Sequence, residues 1–566
     1  MSIQTEPSAA RTSAAATDTR FSPVTRVSGL LAVDATPDFG SRTVGDAALV
    51  TTAFRGYENI LAGRDARDAV FVSSRACGVC GSAHALASSL AMDMACGVQP
   101  PPMAVVVRNF LAATECLYDH PTHLFGRAGP DFSEAIVRET SPELWKRAEG
   151  TRAPRVGYHG YATVAEIMAA LTPYSGIAHR TALAMSRIAR EAFVLLGGKY
   201  PHPQTTTPGG LSATVDTQDL NLAYLRVTRF FDYGRQVVAL WDDLTDFMLE
   251  ADPRYAEVGA APINLLDLGL WDDPYAYDGS IENASMWGGQ RWSTPGAIVD
   301  GKLQTTDLLQ LDVGIEEFVD RSFYDEWGSG MFAIDPVGNP LSERHPYNKR
   351  TIPQPGRVDT QGRYSWSTAA RWNGHPMETG PHARLWISAL AASQPHTRFI
   401  ETTGSSVRLH VPSGNMPAGT VEWRVPDRLN ALERNRARAY ALLHAAVVAY
   451  ENVVIALDLA RSRGSDARIF TPYEIPRDHV VGAGYWGGGR GAITHHLQID
   501  GRVIDNYQII GPSTFSGSPR DGAGTPGPCE TAIAATPLVT ADPGERGIDV
   551  LRAIRSFDLC MFCASH

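Results

Sequence analysis

The sequence predicts an α+β protein that is mainly α, in which a central bundle of long helices carries small antiparallel sheets and irregular decorations. Three observations support this fold class. Several long segments are apolar over broad faces, as the helices of a bundle are. Two regions alternate apolar and polar residues around turn residues, as hairpins do. Residues 270–380 are rich in Gly, Pro, Trp and Tyr with weak periodicity, which is typical of irregular structure that decorates a core.

The most apolar of the predicted helices runs from about Arg428 to Arg463. Asp427 is its expected N-cap, and Gly464 stands where a glycine commonly follows the last helical residue. Because the segment from Ala439 to Leu459 is apolar nearly all round, we expect this helix to be buried. The other expected helices cover residues 104–118, 163–196 and 218–251.

Two hairpins are expected in the C-terminal part of the chain. "SVRLHVP" and "TVEWRVP" flank the loop "SGNMPAG", and "HHLQIDGRVIDNYQII" carries Asp500-Gly501 as a two-residue turn between alternating segments. No internal repeat divides the sequence. We therefore expect a flexible tail over residues 1–20 and a single large domain over residues 21–566, to which both chain ends contribute.

Composition argues against several classes of protein. Hydrophobic residues make up 44% and charged residues 20% of the chain, as in soluble globular proteins, and the net charge of −11 argues against nucleic acid as a partner. No secretory signal and no uninterrupted apolar stretch long enough to span a bilayer is visible. We expect a cytoplasmic protein without a direct membrane span, whose export or membrane association would need a partner.

The strongest chemical signal is a pair of Cys-x-x-Cys motifs at opposite ends of the chain. "SRACGVCGSAH" contains Cys77, Cys80 and His84, whereas "RSFDLCMFCASH" contains Cys560 and Cys563. Two such pairs supply four soft thiolate ligands, which from chemistry alone favour zinc or an iron–sulfur cluster. The long separation is unusual for a structural zinc site, and a redox dithiol is a further alternative.

These motifs also resemble those of a known family. "RACGVCGSAH" resembles the first metal motif of [NiFe]-hydrogenase large subunits, Arg-x-Cys-Gly-x-Cys-x-x-x-His, and "DLCMFCASH" resembles the second, Asp-Pro-Cys-x-x-Cys-x-x-His. "SPVTRVSGLL", "FRGYENILAGRDARDA", "YDHPTHLF" and "GRGAITHHLQIDGRVIDNYQIIGPSTFSGSPRD" are similar to further blocks of that family. The resemblance is dense over residues 22–125 and 480–566 and diffuse between them.

The resemblance implies the catalytic subunit of an uptake-type hydrogenase, which cleaves H2 heterolytically and oxidises it. Cys77 and Cys560 would be terminal ligands of nickel. Cys80 and Cys563 would bridge nickel to an iron that carries one CO and two cyanide ligands, and Cys560 would also act as the base. A non-catalytic relative of the quinone-reductase type and a four-Cys structural zinc protein are the alternatives.

Other residues acquire roles from the same resemblance. Arg490 would lie over the metals, with Asp119 and Asp558 as its carboxylate neighbours, and an alternative view of the family makes this arginine the base. Ser513 would form a hydrogen bond with a cyanide ligand. His84 would donate toward a cysteine sulfur.

The resemblance also implies a magnesium site, and the sequence departs from the family pattern at three positions. Glu58, His566 and a backbone carbonyl resemble ligands of a structural magnesium ion. Ser28 stands where the family usually has a carboxylate that carries protons away from the terminal cysteine. Either Ser28 works with water, another carboxylate substitutes, or the route differs. In two smaller departures, Leu559 and Gly489 replace prolines, and the glycine leaves more room above the metals.

Electron transfer is expected to need a second protein. Outside the two motifs only Cys96, Cys116 and Cys529 remain, which is too few for a separate four-Cys cluster. The resemblance implies a smaller partner subunit that contains Fe–S clusters, with heterodimers that can assemble into a higher oligomer.

Overall fold

Long helices form the centre of the computed structural model, which describes residues 19–325, 332–357, 362–392, 397–462, 464–542 and 544–565. The α-helices of the described residues are α1 (Tyr57–Leu61), α2 (Ala69–Ser73), α3 (Gly81–Cys96), α4 (Pro102–His123), α5 (Glu134–Thr140), α6 (Pro142–Gly150), α7 (Val156–His159), α8 (Val164–Ala170), α9 (Ile177–Gly197), α10 (Thr217–Val227), α11 (Arg229–Ala251), α12 (Ala284–Gly288), α13 (Leu308–Val313), α14 (Pro381–Ala391), α15 (Ala431–Ser462), α16 (Pro512–Ser516), α17 (Pro528–Ala534) and α18 (Ile548–Ser556). Helix α15 contacts α4, α10, α11 and α14, and α4 in turn packs against α9. The predicted central bundle is therefore confirmed.

Helix α15 is buried over most of its length, as its all-round apolar sequence predicts. Its N-cap differs from the prediction, because the side chain of Asn430, not that of Asp427, accepts hydrogen bonds from the amides of Leu432 and Glu433, each at 3.0 Å. Gly464 is extended, with φ −79° and ψ −173°, so it does not form the left-handed cap. α15 also passes the length and hydropathy test for a membrane span, but 78% of its most apolar window is buried inside the protein.

The other predicted helices have the right positions, but two of them are interrupted. The segment 163–196 is divided into α8 and α9, and Pro173 lies in the break because it cannot continue a helix. The segment 218–251 is divided into α10 and α11. The segment 104–118 lies within α4, which continues as far as His123.

The described residues also form six small antiparallel sheets, as the sequence predicts. Their orders are β1-β2-β3, β4-β5, β6-β7-β8, β9-β10, β11-β12-β13 and β14-β15-β16. The strands are β1 (Thr19–Phe21), β2 (Leu31–Asp38), β3 (Thr43–Thr51), β4 (Thr206–Thr207), β5 (Gly210–Leu211), β6 (Leu265–Asp267), β7 (Gly296–Val299), β8 (Lys302–Thr305), β9 (Ile315–Phe318), β10 (Ala369–Trp372), β11 (Ile400–Thr402), β12 (Ser406–Val411), β13 (Gly419–Arg424), β14 (Val480–Gly488), β15 (Gly491–Asp500) and β16 (Val503–Ile510). Strand β1 begins at Thr19, so it includes two residues that the sequence analysis placed in the tail.

Both predicted hairpins are present, and one has a shifted turn. Strands β12 and β13 pair across the expected long loop. In the β15–β16 hairpin Asp500 pairs with Val503, so the two turn residues are Gly501 and Arg502 rather than Asp500 and Gly501. Both turn residues have positive φ, 58° and 73°, as a type I′ turn requires.

The β14–β15–β16 sheet is held very close to α3. A Cβ atom at Gly482 would lie 2.1 Å from the carbonyl oxygen of Ala91, and one at Gly484 would lie 1.7 Å from the carbonyl oxygen of Ala87. Only glycine therefore permits this close approach of the sheet to the helix. Because α3 follows Cys80 and β15 follows Arg490, this contact fixes the distance between the first cysteine motif and the arginine.

The two chain ends meet through backbone hydrogen bonds. The amide of Ser28 donates to the carbonyl of Leu559 at 3.2 Å, and the amide of Met561 donates to the carbonyl of Ser28 at 2.7 Å. The amide of Arg55 donates to the carbonyl of Ser565 at 3.1 Å. The N-terminal segment therefore lies directly beside the second cysteine motif.

Glu530 links the C-terminal part of the chain to strand β3, and its ionisation should make the stability of the fold depend on pH. Its Oε1 accepts from the amide of Leu49 at 2.9 Å and from the hydroxyl of Tyr364 at 2.8 Å, and burial raises its pKa from 4.5 to about 7. The folded state therefore retains this proton after the unfolded chain has lost it. Stability contributed by this group is present below pH 4.5 and is lost as the pH rises through about 7.

We expect Glu530→Gln to remove this pH dependence. The unfolding midpoint of the variant, measured relative to the wild type, should rise between pH 5 and pH 7.5, because the amide does not ionise. Glu401→Gln, at an exposed carboxylate, serves as the matched control and should follow the wild-type profile. Parallel profiles for all three proteins would contradict the expectation.

Candidate metal centre

The four motif cysteines come together in one buried cluster. Cys77 follows a 3-10 turn and Cys80 directly precedes α3. Cys560 forms a β-bridge with Ser28, and Cys563 ends the last 3-10 turn. The Sγ atoms are 2.9 Å apart for Cys77 and Cys80, 3.1 Å for Cys80 and Cys563, and 3.5 Å for Cys77 and Cys560.

This cluster fits a metal centre and not a disulfide. Every cysteine of the described chain is a free thiol, and the separations far exceed a covalent S–S bond of about 2.05 Å. Hydrogen bonds from Cys563, Cys77 and Cys80 lower the pKa of Cys560, while hydrogen bonds involving Cys560 raise the pKa of Cys80 and Cys563. The group therefore resists further deprotonation unless a cation offsets the charge. A thiophilic metal supplies that cation.

His84 connects the sulfurs to a chain of polar side chains. Its Nε2 lies 3.5 Å from Sγ of Cys563, and its Nδ1 lies 3.0 Å from Nε2 of His495. The chain continues from His495 to the hydroxyl of Tyr507 at 2.6 Å and from there to Ser88 at 2.7 Å. His84 can therefore donate from Nε2 to the sulfur of Cys563 while its Nδ1 is oriented by His495, as a histidine beside a metal ligand commonly is.

Arg490 lies between two carboxylates. Its Nη2 donates to Oδ1 of Asp119 at 2.8 Å, and its Nε lies 3.2 Å from Oδ2 of Asp558 and donates to the Asp558 carbonyl at 3.1 Å. Burial acts to lower the pKa of Arg490, but the charges of Asp119 and Asp558 hold it well above the usual range. The guanidinium is therefore a fixed positive charge beside the sulfurs.

Gly489 leaves space that Asp119 fills. A Cβ atom at Gly489 would lie 2.5 Å from Oδ2 of Asp119. The room that the sequence analysis expected above the metals is therefore taken up, at least in part, by this carboxylate.

Two arginines and a buried histidine surround Asp558. Arg438 approaches its Oδ2 at 3.0 Å, Nδ1 of His123 lies 3.2 Å from its Oδ1, and Arg127 also pairs with it. Burial acts to raise the pKa of Asp558, but the charge of Arg490 and these neighbours hold it well below the usual range. The residue has φ 53°, a left-handed conformation that Asp tolerates better than most residues.

The two serines lie beside Cys560. The Oγ of Ser513 accepts a hydrogen bond from the Cys560 amide at 2.8 Å. Ser28 is 6% exposed, and its backbone forms the bridge to Cys560. The alignment that places Ser28 at the usual carboxylate position is therefore consistent with the structure.

The expected magnesium ligands are only partly described. Glu58 is buried, and its Oε1 accepts from the amide of Ile509 at 2.9 Å and lies 3.8 Å from Nζ of Lys349. Its Oε2 accepts from the hydroxyl of Thr351. His566 lies outside the described residues. Glu58 is therefore a buried carboxylate whose two oxygens already accept hydrogen bonds from Ile509 and Thr351.

Sequence reasoning missed Glu115. This buried carboxyl lies on α4 one turn before Asp119, and its Oε2 accepts from the amides of Ser82 at 3.1 Å and Ala83 at 3.2 Å. Burial, with a contribution from the Asp119 charge, raises its pKa to about 8. A single Glu in an apolar helix gave no signal, because its burial depends on the packing of α3 against α4.

Comparison with known proteins identifies the family. The model of the nickel-dependent hydrogenases matches residues 55–142 and 172–566, which include both cysteine motifs. The chain belongs to the nickel-dependent hydrogenase family. It is 28% identical to the Hydrogenase-1 large chain of Citrobacter freundii and to an uptake hydrogenase large subunit of Bradyrhizobium diazoefficiens, in each case over 96% of this chain and 94% of the relative.

Solved structures agree with this assignment. The hydrogenase chain resembles an actinobacterial-type NiFe-hydrogenase from Ralstonia eutropha, with a TM-score of 0.94 and 38% identity over 97% of this chain and 100% of that chain. It also resembles the Ni-Fe-Se hydrogenase from Desulfomicrobium baculatum, with a TM-score of 0.73 and 25% identity over 97% and 99% of the two chains. The prediction of a [NiFe]-hydrogenase large subunit is confirmed, and with it an oxidoreductase that acts on H2.

Because arginines surround Asp558, we expect removal of its negative charge to lower the stability of the protein substantially. Asp558→Asn preserves shape and tolerates positive φ, but it leaves Arg127 and Arg438 without their shared anion. Uncompensated buried charge of this kind costs about 3–5 kcal/mol. We expect a fall of several degrees in the thermal unfolding midpoint.

Asp34→Asn is the matched control for this experiment. Asp34 forms an exposed ion pair with Arg20 at 3.5 Å, and such pairs contribute about 0–1 kcal/mol. Equal midpoints for Asp558→Asn and Asp34→Asn would contradict the importance of the buried cluster.

Proposed function

We propose that this large subunit oxidises H2 at a nickel–iron centre and passes the electrons to a smaller Fe–S subunit. The observation that carries the proposal is the convergence of four buried cysteines from distant parts of the chain, with the charge of Arg490 acting on Cys560. A structural zinc site has no need of the buried carboxylates that hold this arginine. The retained cysteines also argue against a non-catalytic quinone-reductase-type relative.

Each cysteine has a proposed place in the centre. Cys77 and Cys560 would hold nickel, and Cys80 and Cys563 would be shared between nickel and iron. Arg490 and Ser513 would supply hydrogen-bond donors toward the cyanide ligands of an iron that would carry one CO and two cyanides. When bound, the metal pair supplies the electron-accepting chemistry that H2 cleavage needs.

The base of the reaction is proposed to be the Sγ of Cys560. Hydrogen bonds from Cys563, Cys77 and Cys80 and the nearby charge of Arg490 lower the pKa of Cys560, so this sulfur is available as a thiolate. Arg490 is unsuited to the role of base because Asp119 and Asp558 favour its protonated form. We propose that the arginine instead contributes a fixed positive charge and excludes water beside the sulfurs.

Two routes can carry the proton away from Cys560. The hydroxyl of Ser28 belongs to the residue that pairs with Cys560, but a hydroxyl relays a proton only with a water or an acid in reach. Glu115 is a buried carboxyl whose pKa of about 8 lets it exchange a proton near neutral pH. We propose Ser28 as the first relay and Glu115 as the competing carboxyl.

Magnesium, location and partner complete the proposal. Glu58 and His566 would hold Mg2+ near the C-terminus. The small subunit is inferred from the relatives named large subunits and from the few remaining cysteines, Cys96, Cys116 and Cys529. A cytoplasmic location, with export or membrane association only through that partner, remains part of the proposal.

The proposed activity can be tested on the purified two-subunit complex. We expect H2-dependent reduction of an artificial electron acceptor, with nickel near one per large subunit and with no such reduction by the isolated large subunit. Cys80→Ser should lose nickel and activity, whereas Cys96→Ser, at a half-buried cysteine away from the cluster, should retain both. Zinc in the cysteine cluster without H2 uptake would overturn the proposal.

The proton route is distinguished by two variants. We expect Ser28→Ala to slow hydrogen–deuterium exchange by at least tenfold, while the nickel content stays constant, because a relay contributes to transfer but not to metal binding. Glu115→Gln keeps the shape of the protonated carboxyl and should have a smaller effect. Slow exchange in Glu115→Gln alone would instead identify Glu115 as the relay.

A further inference from the structure

A second set of ligand side chains lies apart from the cysteines. Asp312 comes from α13, His345 precedes a short 3-10 helix, and His496 comes from β15. All three are buried, and one ligand atom of each lies within 4.8 Å of the others. Among the described residues, this is the one group of three or more such side chains besides the four cysteines.

Strand β15 separates this group from the hydrogenase centre. His495 contacts His84 beside the cysteines, whereas the next residue, His496, contacts Asp312. Successive side chains of a strand point to opposite faces of the sheet. The second group is therefore a separate site on the other face of the same strand.

The spacing of the group matches one metal ion. Nε2 of His496 lies 2.8 Å from Oδ1 of Asp312, and Nε2 of His345 lies 3.7 Å from Oδ2 of the same carboxylate. Two ligands that each bond a tetrahedral ion at about 2.0 Å lie about 3.3 Å apart. The separation of His345 from Asp312 is slightly longer than this value, whereas the shorter one is a hydrogen bond between His496 and Asp312 that a metal ion would replace.

Unpartnered polar atoms point to a missing ligand. Oδ2 of Asp312 and Nε2 of His345 are buried and form no hydrogen bond within the described part of the chain, since 3.7 Å is too long for one. Each unsatisfied atom of this kind costs about 1–3 kcal/mol. A cation between them would satisfy both atoms at once.

Binding of a metal ion by Nε2 of the two histidines would cost free energy at their Nδ1 atoms, which would then carry the proton. Nδ1 of His345 accepts a long hydrogen bond of 3.3 Å from the amide of Tyr347. This hydrogen bond is lost when Nε2 binds a metal, because the ring proton then moves to Nδ1. Nδ1 of His496 has no partner among the described residues. These losses amount to about 1–3 kcal/mol each, whereas structural zinc contributes about 10–16 kcal/mol in small folded sites.

One aromatic ring lies between the group and a surface cavity. Tyr347 packs against His345 and His496, with ring centroids 5.2 Å and 5.0 Å apart. The same tyrosine lines a surface cavity of about 470 Å³ with Asp335 and His479. A rotation of this side chain would open a path from solvent to the ligand atoms.

We propose that Asp312, His345 and His496 bind a divalent cation of the zinc type, distinct from the nickel–iron centre and from the magnesium expected at Glu58. Two imidazoles and one carboxylate are a donor set that zinc accepts, with a fourth position for water. The ion would join α13, the segment before Tyr347 and β15. Its role is structural, since it stabilises the strand whose opposite face carries His495.

The test uses the purified two-subunit complex and Zn2+ alone as the probe. The complex is treated with a chelator, supplied with Zn2+ and dialysed, and zinc is counted relative to nickel. We expect about one zinc per nickel in the wild type and loss of that zinc in His345→Gln. His410→Gln, the same chemical change at an exposed histidine, should retain it.

Anomalous diffraction on the wild type keeps the test independent of any variant that fails to fold. A zinc peak between the three side chains, with nickel retained at the cysteines, would support the proposal. An ordered water or an empty position after addition of Zn2+ would overturn it. Zinc found at the four cysteines alone would also overturn it, and failure of H2 oxidation with nickel in place would concern only the proposed activity.

Discussion

The hydrogenase centre depends on a short set of backbone hydrogen bonds that join the two ends of the chain. Ser28 pairs with Leu559 and Met561, and Arg55 pairs with Ser565. These bonds place the second cysteine motif against the N-terminal segment. Without them, nothing in the local sequence would bring four thiols, whose combined ionisation burial opposes, into one buried space. The metal and the chain ends therefore stabilise the same arrangement, as in other sites where metal binding is coupled to folding.

Buried charge is the second constraint. Arg490 is held by Asp119 of α4 and by Asp558, and Asp558 in turn is held by Arg127 and by Arg438 of α15. Removing any one member leaves an uncompensated charge in the interior. The long central helices therefore contribute more than apolar packing, because they carry the counter-charges that keep the arginine beside the sulfurs. This arrangement connects the helical bundle directly to the chemistry of the site.

The sequence predicted the site better than the details of the fold. The cysteine cluster is encoded in two short local motifs, whereas the role expected of Arg490 depends on the resemblance to the family, because an arginine in a Gly-rich loop carries no such signal alone. The N-cap Asn430 and the turn at Gly501 and Arg502 were misplaced, because competing polar residues nearby make similar local signals. Glu115 was missed because its role depends on burial between helices that are adjacent only in the fold.

The same reasoning explains the second cluster of ligands. Its three residues come from segments that have no common motif, so only the tertiary structure brings them together. His496 lies within a block that resembles the family, yet nothing in that block indicates a partner in α13 or before Tyr347. Alternation along β15 then lets one strand serve two different sites.

Infrared spectroscopy of the purified complex tests the central claim most directly. If the four cysteines hold a nickel–iron centre, the spectrum contains stretching bands of one iron-bound CO and two cyanides, and these bands disappear in Cys563→Ser. A complex that contains nickel, retains all four cysteines and shows none of these bands would contradict the assignment of the centre.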